Sequence, residues 1–258
     1  MSSVLFEIRD QIAFITLNRP DKLNAFNREM ALLLQNRLDE CANLHAVRAV
    51  YLTGAGKAFS AGEDLAEVVD PEGPGMGRIL REQYNPIVTR IRNLPKPVVA
   101  AVNGVAAGAG ANIALCCDIV VAAQSASFIQ AFSKIGLIPD SGGTYFLPRL
   151  VGWQKAAGIA MLGDKITAAE AERMGMIYKV YDNDEFVGTS RALTAVLAQL
   201  PTRALAFTKH AFNYSATNNL DAQLMLEDEL QQKAAQTRDF TEGVAAFLEK
   251  RPAQFRGE

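Results

Sequence analysis

Apolar positions fall into short runs through the first half of the chain, separated by polar or glycine-rich breaks. Residues 4–8 and 12–17 predict two strands with a turn at Asp10-Gln11. A polar loop over 18–25 leads into a helix over 28–41, whose Met30, Leu34, Leu38 and Cys41 share one side. Residues 47–52 predict the next strand. A loop rich in proline and glycine follows over 70–77, and it is expected to be mobile. The pattern over 78–94 is helical, with an interruption expected near Pro86. Continuous apolar runs at 97–102 and 119–123 predict buried strands.

The helical stretch Asn103-Gly-Val-Ala-Ala-Gly-Ala-Gly-Ala-Asn-Ile-Ala-Leu-Cys-Cys-Asp118 lies between those two strands. Small residues at a strand-to-helix turn allow close approach to the backbone. The first amides of a helix lack intrahelical partners and attract negative charge. Such a turn can hold an oxygen that becomes anionic during a reaction. Taken alone, it equally suits a tightly packed junction, because neither the Rossmann nor the P-loop spacing is met.

Beyond residue 143 the pattern is mostly helical. Thr167-Ala-Ala-Glu170 reads as a capping box opening a short helix that ends by Gly175, and 177–181 as a last strand. Residues 185–200, 202–214, 221–238 and 241–251 predict helices. An α/β core over 1–200 followed by a helical region over 201–258 is therefore expected.

Composition narrows the classes. A chain of 258 residues buries a sizeable core without staples. A net charge of −2 with dispersed basic residues gives no nucleic-acid footprint. The three cysteines, at 41, 116 and 117, fit neither a disulfide framework nor zinc spacing, and they suit a reducing, cytoplasmic setting. No leader, membrane span, metal site or redox cofactor is expected.

Three motifs carry a resemblance when taken together: Ala61-Gly-Glu-Asp-Leu65, Asn103-Gly-Val-Ala-Ala-Gly-Ala-Gly110 and Gly136-Leu-Ile-Pro-Asp-Ser-Gly-Gly-Thr144. In this order, with Asn18-Arg-Pro20 and Phe247-Leu-Glu-Lys-Arg251, the chain resembles the enoyl-CoA hydratase/isomerase (crotonase) superfamily over essentially its whole length. Residues 103–152 resemble the ring-1,2-epoxyphenylacetyl-CoA isomerases of aerobic phenylacetate breakdown in particular. The resemblance implies a crotonase spiral of ββα units, with a C-terminal helical region used in assembly as a homotrimer or a dimer of trimers.

It also implies an acyl-CoA substrate, with CoA as part of the substrate and not a cofactor. The main-chain N–H groups of Glu63 and Ala109 would bind the thioester oxygen, and the Glu63 and Ala109 side chains need not matter. Lys22, Phe247 and Lys250 match CoA-contacting positions. Ala61, Asp64 and Leu65, which border the first amide, are likewise implied to bind the CoA moiety, and the run 57–61 matches a segment flanking the adenine. The two glutamates of the hydratases would fall at Asn112 and Phe132. Neither residue can exchange a proton efficiently at neutral pH, so simple hydration is not expected.

Asp140 is the remaining acid in the matching stretch. By itself, Pro-Asp-Ser-Gly-Gly suits a turn with Asp140 as a helix cap. The resemblance assigns Asp140 proton transfer, and burial near Phe132 would raise its pKa. The expected activity is isomerisation of ring-1,2-epoxyphenylacetyl-CoA to the oxepin thioester. A Δ3,Δ2-enoyl-CoA isomerase and a non-catalytic CoA-binding homologue are the alternatives.

Overall fold

The computed structural model describes residues 2–70 and 73–258. Strand β1 (Val4–Arg9) turns back into β2 (Ile12–Leu17) in antiparallel register, with Val4 opposite Leu17 and Arg9 opposite Ile12. Asp10 and Gln11 both take positive φ, 51° and 64°, as a two-residue turn matched to strand twist requires. Helix α1 (Arg28–Asn43) follows, capped by the Asn27 side chain, which accepts from the Met30 N–H at 3.0 Å.

The chain then repeats a pattern. β3 (Ala49–Gly54), β5 (Val98–Val102) and β7 (Ile119–Ala123) join one sheet. Each is followed by a three-residue strand in a second sheet, β4 (Ala58–Ser60), β6 (Val105–Ala107) and β8 (Ser127–Ile129). With β9 (Lys165–Thr167) and β10 (Lys179–Tyr181), the described strand orders are β1-β2-β3-β5-β7-β10 and β4-β6-β8-β9. Every neighbour pair after β1–β2 in the larger sheet is parallel. Its strand β5, Val-Val-Ala-Ala-Val, is buried throughout, as a parallel strand covered on both faces should be. This stepwise alternation between two sheets is the spiral of ββα units expected above.

The helices are α2 (Leu65–Val68), α3 (Gly75–Arg78), α4 (Asn85–Asn93), α5 (Gly108–Leu115), α6 (Gly143–Val151), α7 (Trp153–Leu162), α8 (Ala168–Arg173), α9 (Phe186–Gln199), α10 (Thr202–Ser215), α11 (Leu220–Ala235) and α12 (Arg238–Glu249). The capping box at Thr167 and Glu170 is present in both directions. The strands β4, β6, β8 and β9 are additions to the sequence expectation. At three residues each they are too short to show a periodicity.

Two expectations are corrected between residues 70 and 94. The predicted loop over 70–77 contains the start of α3 at Gly75; Pro71 and Glu72 lie outside the described residues. The predicted break near Pro86 is instead a π-helix, Ile79–Tyr84, running directly into α4. The Asn85 N–H reaches back five residues to the Leu80 carbonyl. Pro86 has no N–H to give, and the Gln35 side chain on α1 donates to the freed carbonyl of Glu82 at 2.8 Å. A helix whose freed carbonyl finds an outside donor need not end.

At the C-terminus the Asp239 carboxylate accepts the N–H groups of Arg256 and Gly257, at 2.7 and 2.8 Å. Buried Arg48 donates to the Phe255 and Leu200 carbonyls and to Thr202 Oγ1. The last residues are thereby pinned against the start of α12. No helix among the described residues is long and apolar enough to cross a membrane.

Candidate active site

The site begins at the N-terminus of α5. Ala107 is extended and Gly108 turns at a φ of +51° into a helix whose residues 109–115 are all buried. As the second helical residue, Ala109 has no carbonyl a turn earlier within α5, so its N–H points out of the helix end.

A second piece of backbone is brought to that end by Phe26. The Phe26 N–H donates to the Gly62 carbonyl at 2.7 Å, and the Asp64 N–H donates to the Phe26 carbonyl at 2.8 Å. This parallel bridge uses the groups on either side of Glu63 and leaves the N–H of Glu63 facing away from Phe26. Gly62 holds a φ of +93°, and a Cβ there would lie 2.8 Å from the Ala107 carbonyl oxygen and 3.4 Å from the Ala109 nitrogen. Only glycine lets these two strips of backbone approach so closely. The N–H groups of Glu63 and Ala109 therefore belong to adjoining segments, an arrangement able to hold one oxygen atom between them.

The Asp140 loop is fastened to the same helix. Asn112 is fully buried; its Nδ2 donates to the Asp140 carbonyl at 2.9 Å and its Oδ1 accepts from Gln130 Nε2 at 2.7 Å. The Gly143 N–H donates to the same Asp140 carbonyl at 2.7 Å. A side chain at Gly143 would strike the Asn112 amide. Phe132 closes the other side, its ring tip 3.7 Å from where a Gly108 side chain would begin.

Asp140 does not cap α6. The cap position is Gly142 in the left-handed region, without a side-chain bond. The carboxylate accepts the Ser141 hydroxyl at 2.9 Å and a hydrogen bond from its own main chain. Burial raises its pKa to about 6, against the opposing pull of those two hydrogen bonds.

The Glu63 carboxyl, whose side chain the sequence reading left without a role, also lies within reach of the Asp140 charge. Its Oε1 is buried without a hydrogen-bond partner. Burial, followed by repulsion from Asp140 and Glu67, raises its pKa to about 7. Sequence reasoning passed over Tyr84 altogether. It is fully buried at the end of the π-helix, with its ring edge-on to Phe26 at 6.0 Å. The available signal was a polar-tipped aromatic on an otherwise apolar helix face two residues before Pro86.

Other expected residues distribute around the rim. Lys22 is exposed on the turn Pro20–Lys22, close enough for its charge to favour ionised Asp64. Asp64 pairs with Arg19 at 2.9 Å and caps α2, which holds its carboxyl below the usual range. Ala61 donates its N–H to the Leu23 carbonyl, and Leu65 is half exposed at the start of α2. Phe247 is 84 % exposed and Lys250 takes a left-handed φ of 56° at the end of α12. No hydrogen bond, ion pair or ring contact ties either to the residues around Ala109 among the described residues. His45 is at the link into β3, and His210 stacks on Tyr214 at 4.8 Å, so neither joins the cluster. No group of metal-binding side chains occurs among the described residues.

Comparison with known proteins gives one consistent answer. Residues 7–258 match the family described as enoyl-CoA hydratase/isomerase. The chain is 47 % identical to the 1,2-epoxyphenylacetyl-CoA isomerase of Escherichia coli K12, across the whole of both chains. It is 48 % identical to a "probable enoyl-CoA hydratase" of Rhodobacter capsulatus, over 99 % of this chain and 98 % of that one. The solved structure of an enoyl-CoA hydratase from Bacillus anthracis superposes with a TM-score of 0.91 at 31 % identity, covering 99 % of this chain and 100 % of the other. With a spiral of ββα steps and a helix end facing a glycine-bent loop, this chain belongs to the enoyl-CoA hydratase/isomerase family.

Proposed function

We propose that the protein isomerises ring-1,2-epoxyphenylacetyl-CoA to the oxepin thioester. One observation carries this choice over hydration. The two positions where the resemblance places the hydratase glutamates hold Phe132 and an Asn112 whose amide is committed to the Asp140 loop and Gln130. Of the two carboxyls in this region, Asp140 is assigned the proton transfer, because it lies in the matching stretch 136–144 and has the lower pKa, about 6 against about 7 for Glu63.

The amides of Glu63 and Ala109 hold the thioester oxygen and stabilise the negative charge it gains as a proton leaves the neighbouring carbon. Each such donor contributes about 3 kcal/mol to lowering a barrier of this kind. Asp140, titrating at about 6, is ionised at neutral pH yet basic enough to accept that proton. It then returns the proton as the ring rearranges. Lys22, Ala61, Asp64 and Leu65 line the approach of the CoA moiety, and Phe247 and Lys250 reach it from a neighbouring copy in the assembly. The region 201–258 serves assembly into a homotrimer or dimer of trimers, consistent with the exposed Phe240, Val244, Phe247 and Leu248 of α12.

The test is product analysis by mass spectrometry and ultraviolet absorbance, with freshly generated epoxyphenylacetyl-CoA and separately a 3-enoyl-CoA. Oxepin formation that disappears in Asp140→Asn supports the reading. Turnover of the 3-enoyl-CoA alone makes the protein a Δ3,Δ2-enoyl-CoA isomerase, since one carboxylate suffices to shift one proton. Binding of both without turnover of either makes it a CoA-binding homologue.

A further inference from the structure

Among the described residues several buried side-chain polar atoms have no hydrogen-bond partner, and two of them, Glu63 Oε1 and the Tyr84 hydroxyl, belong to groups on which the Asp140 charge acts. Buried polar atoms are nearly always paired, and an orphan carries its desolvation cost with no bond in return. Their location is shared. Phe26 brackets Glu63 through its main chain and packs its ring edge-on against Tyr84 at 6.0 Å. After burial, the charges that act most strongly on the Tyr84 hydroxyl are those of Glu63 and Asp140. The charge that acts most strongly on the Glu63 carboxyl is that of Asp140.

We propose that the Glu63 carboxyl and the Tyr84 hydroxyl form a hydrogen-bonding recess for an oxygen atom borne by the acyl group, so that the site selects an oxygenated acyl-CoA over its hydrocarbon counterpart. The inference rests on the acyl-CoA reading above and adds the residues that determine its specificity. Both groups present O–H donors. Burial keeps the phenol protonated, and it leaves a large share of Glu63 in the acid form near neutral pH. Two donors without acceptors call for a ligand lone pair, as on an epoxide, ether or hydroxyl oxygen. A plain hydrocarbon acyl group leaves both unpaired. Sites built around such bonds discriminate strongly against ligands that lack the matching atom.

Binding measures this without requiring turnover. Wild-type protein, Tyr84→Phe and Glu63→Met are titrated calorimetrically with 2-hydroxyphenylacetyl-CoA and with phenylacetyl-CoA. Tyr84→Phe removes only the hydroxyl, and Glu63→Met replaces the carboxyl with an uncharged chain of similar length while keeping the main-chain N–H. The wild type is expected to prefer the hydroxylated thioester by about tenfold or more, and each variant to bring the ratio to within about threefold. A wild-type ratio near one, as for a recess occupied by fixed water, overturns the proposal. So does a ratio that neither substitution changes. A preference that holds while no oxepin forms from the epoxide removes the isomerase reading and keeps the recess. Failure of both thioesters to bind removes both.

Discussion

The side-chain amide of Asn112 on α5 donates to the main-chain carbonyl of Asp140 at 2.9 Å, so the helix that supplies one amide of the site also fixes the loop that carries its acid. Removing that amide in Asn112→Ala leaves the Asp140 carbonyl with one donor fewer and Gln130 without its acceptor. A stability loss of about 2–4 kcal/mol is expected from two disrupted buried groups. Turnover should fall at least about tenfold because the carboxyl is no longer held in place. Chemical denaturation and steady-state kinetics on the same preparation measure the two effects.

Asp140 should be destabilising where it is ionised. Its ordinary value is 3.8 and burial raises it to about 6 in the folded protein. Below pH 3.8 it is protonated in both states, and between there and about pH 6 the unfolded chain releases the proton while the folded one keeps it. Stability therefore falls as pH rises through this window, and the loss is complete above it. Asp140→Asn should melt about 2–6 °C higher than wild type near neutral pH, with the gap closing in acid. Calorimetric scans across pH test this, and an equal gap at every pH contradicts it.

The activity profile should be narrow. In the proposed roles Asp140 works ionised, accepting a proton, and Glu63 works protonated, donating to a substrate oxygen. Their values of about 6 and about 7 predict a kcat/KM that rises through the first and falls through the second. The two carboxyls interact, so the limbs belong to the pair. Glu63→Met should abolish the falling limb and keep the rising one.

Gly62→Ala places a methyl 2.8 Å from the Ala107 carbonyl and forces a φ of +93° on a residue with a side chain. The strips carrying the two amides must separate. Loss of one oxyanion donor corresponds to about 10²–10³-fold in kcat. Circular dichroism should show the fold retained, and an active variant would contradict the assignment of these amides.

The apolar face of α12 should matter for assembly. Phe247→Asp puts a charge at a site 84 % exposed in the single chain. If α12 lies between copies, light scattering should record a shift toward monomer that depends on concentration. An unchanged mass would remove α12 from the interface.

What was legible in the sequence depended on length and locality. The buried strand β5 is a run of five apolar residues, and α5 begins in a cluster of small ones, so both stood out. The capping box at Thr167 is local chemistry and was readable as such, whereas the Asn27 cap was not singled out. The three-residue strands of the second sheet left no periodic trace, because each exists through pairing with distant chain. Asp140 was singled out through its motif, whereas the bond tying it to Asn112 spans 28 residues and has no local signature. Glu63 was read for its backbone alone, since nothing adjacent in sequence indicates that Tyr84 and Asp140 share its surroundings. Pro86 predicted a break that Gln35, on another helix, makes unnecessary.

The π-helix at Ile79–Tyr84 has an evolutionary consequence. Such a segment is equivalent to an α-helix with one residue inserted, which rotates everything before it by roughly 100° relative to everything after it. Deleting a single codon here would restore ordinary helical bonding up to α4. It would swing one flank of the helix around its axis and change which side chain meets Phe26. The two sheets, the α5 helix end and the Asn112 fastening take no part in that rotation. A one-residue change of length is thus a route by which descendants of this scaffold exchange the wall around Phe26 while keeping the α5 helix end and the Asp140 loop in place.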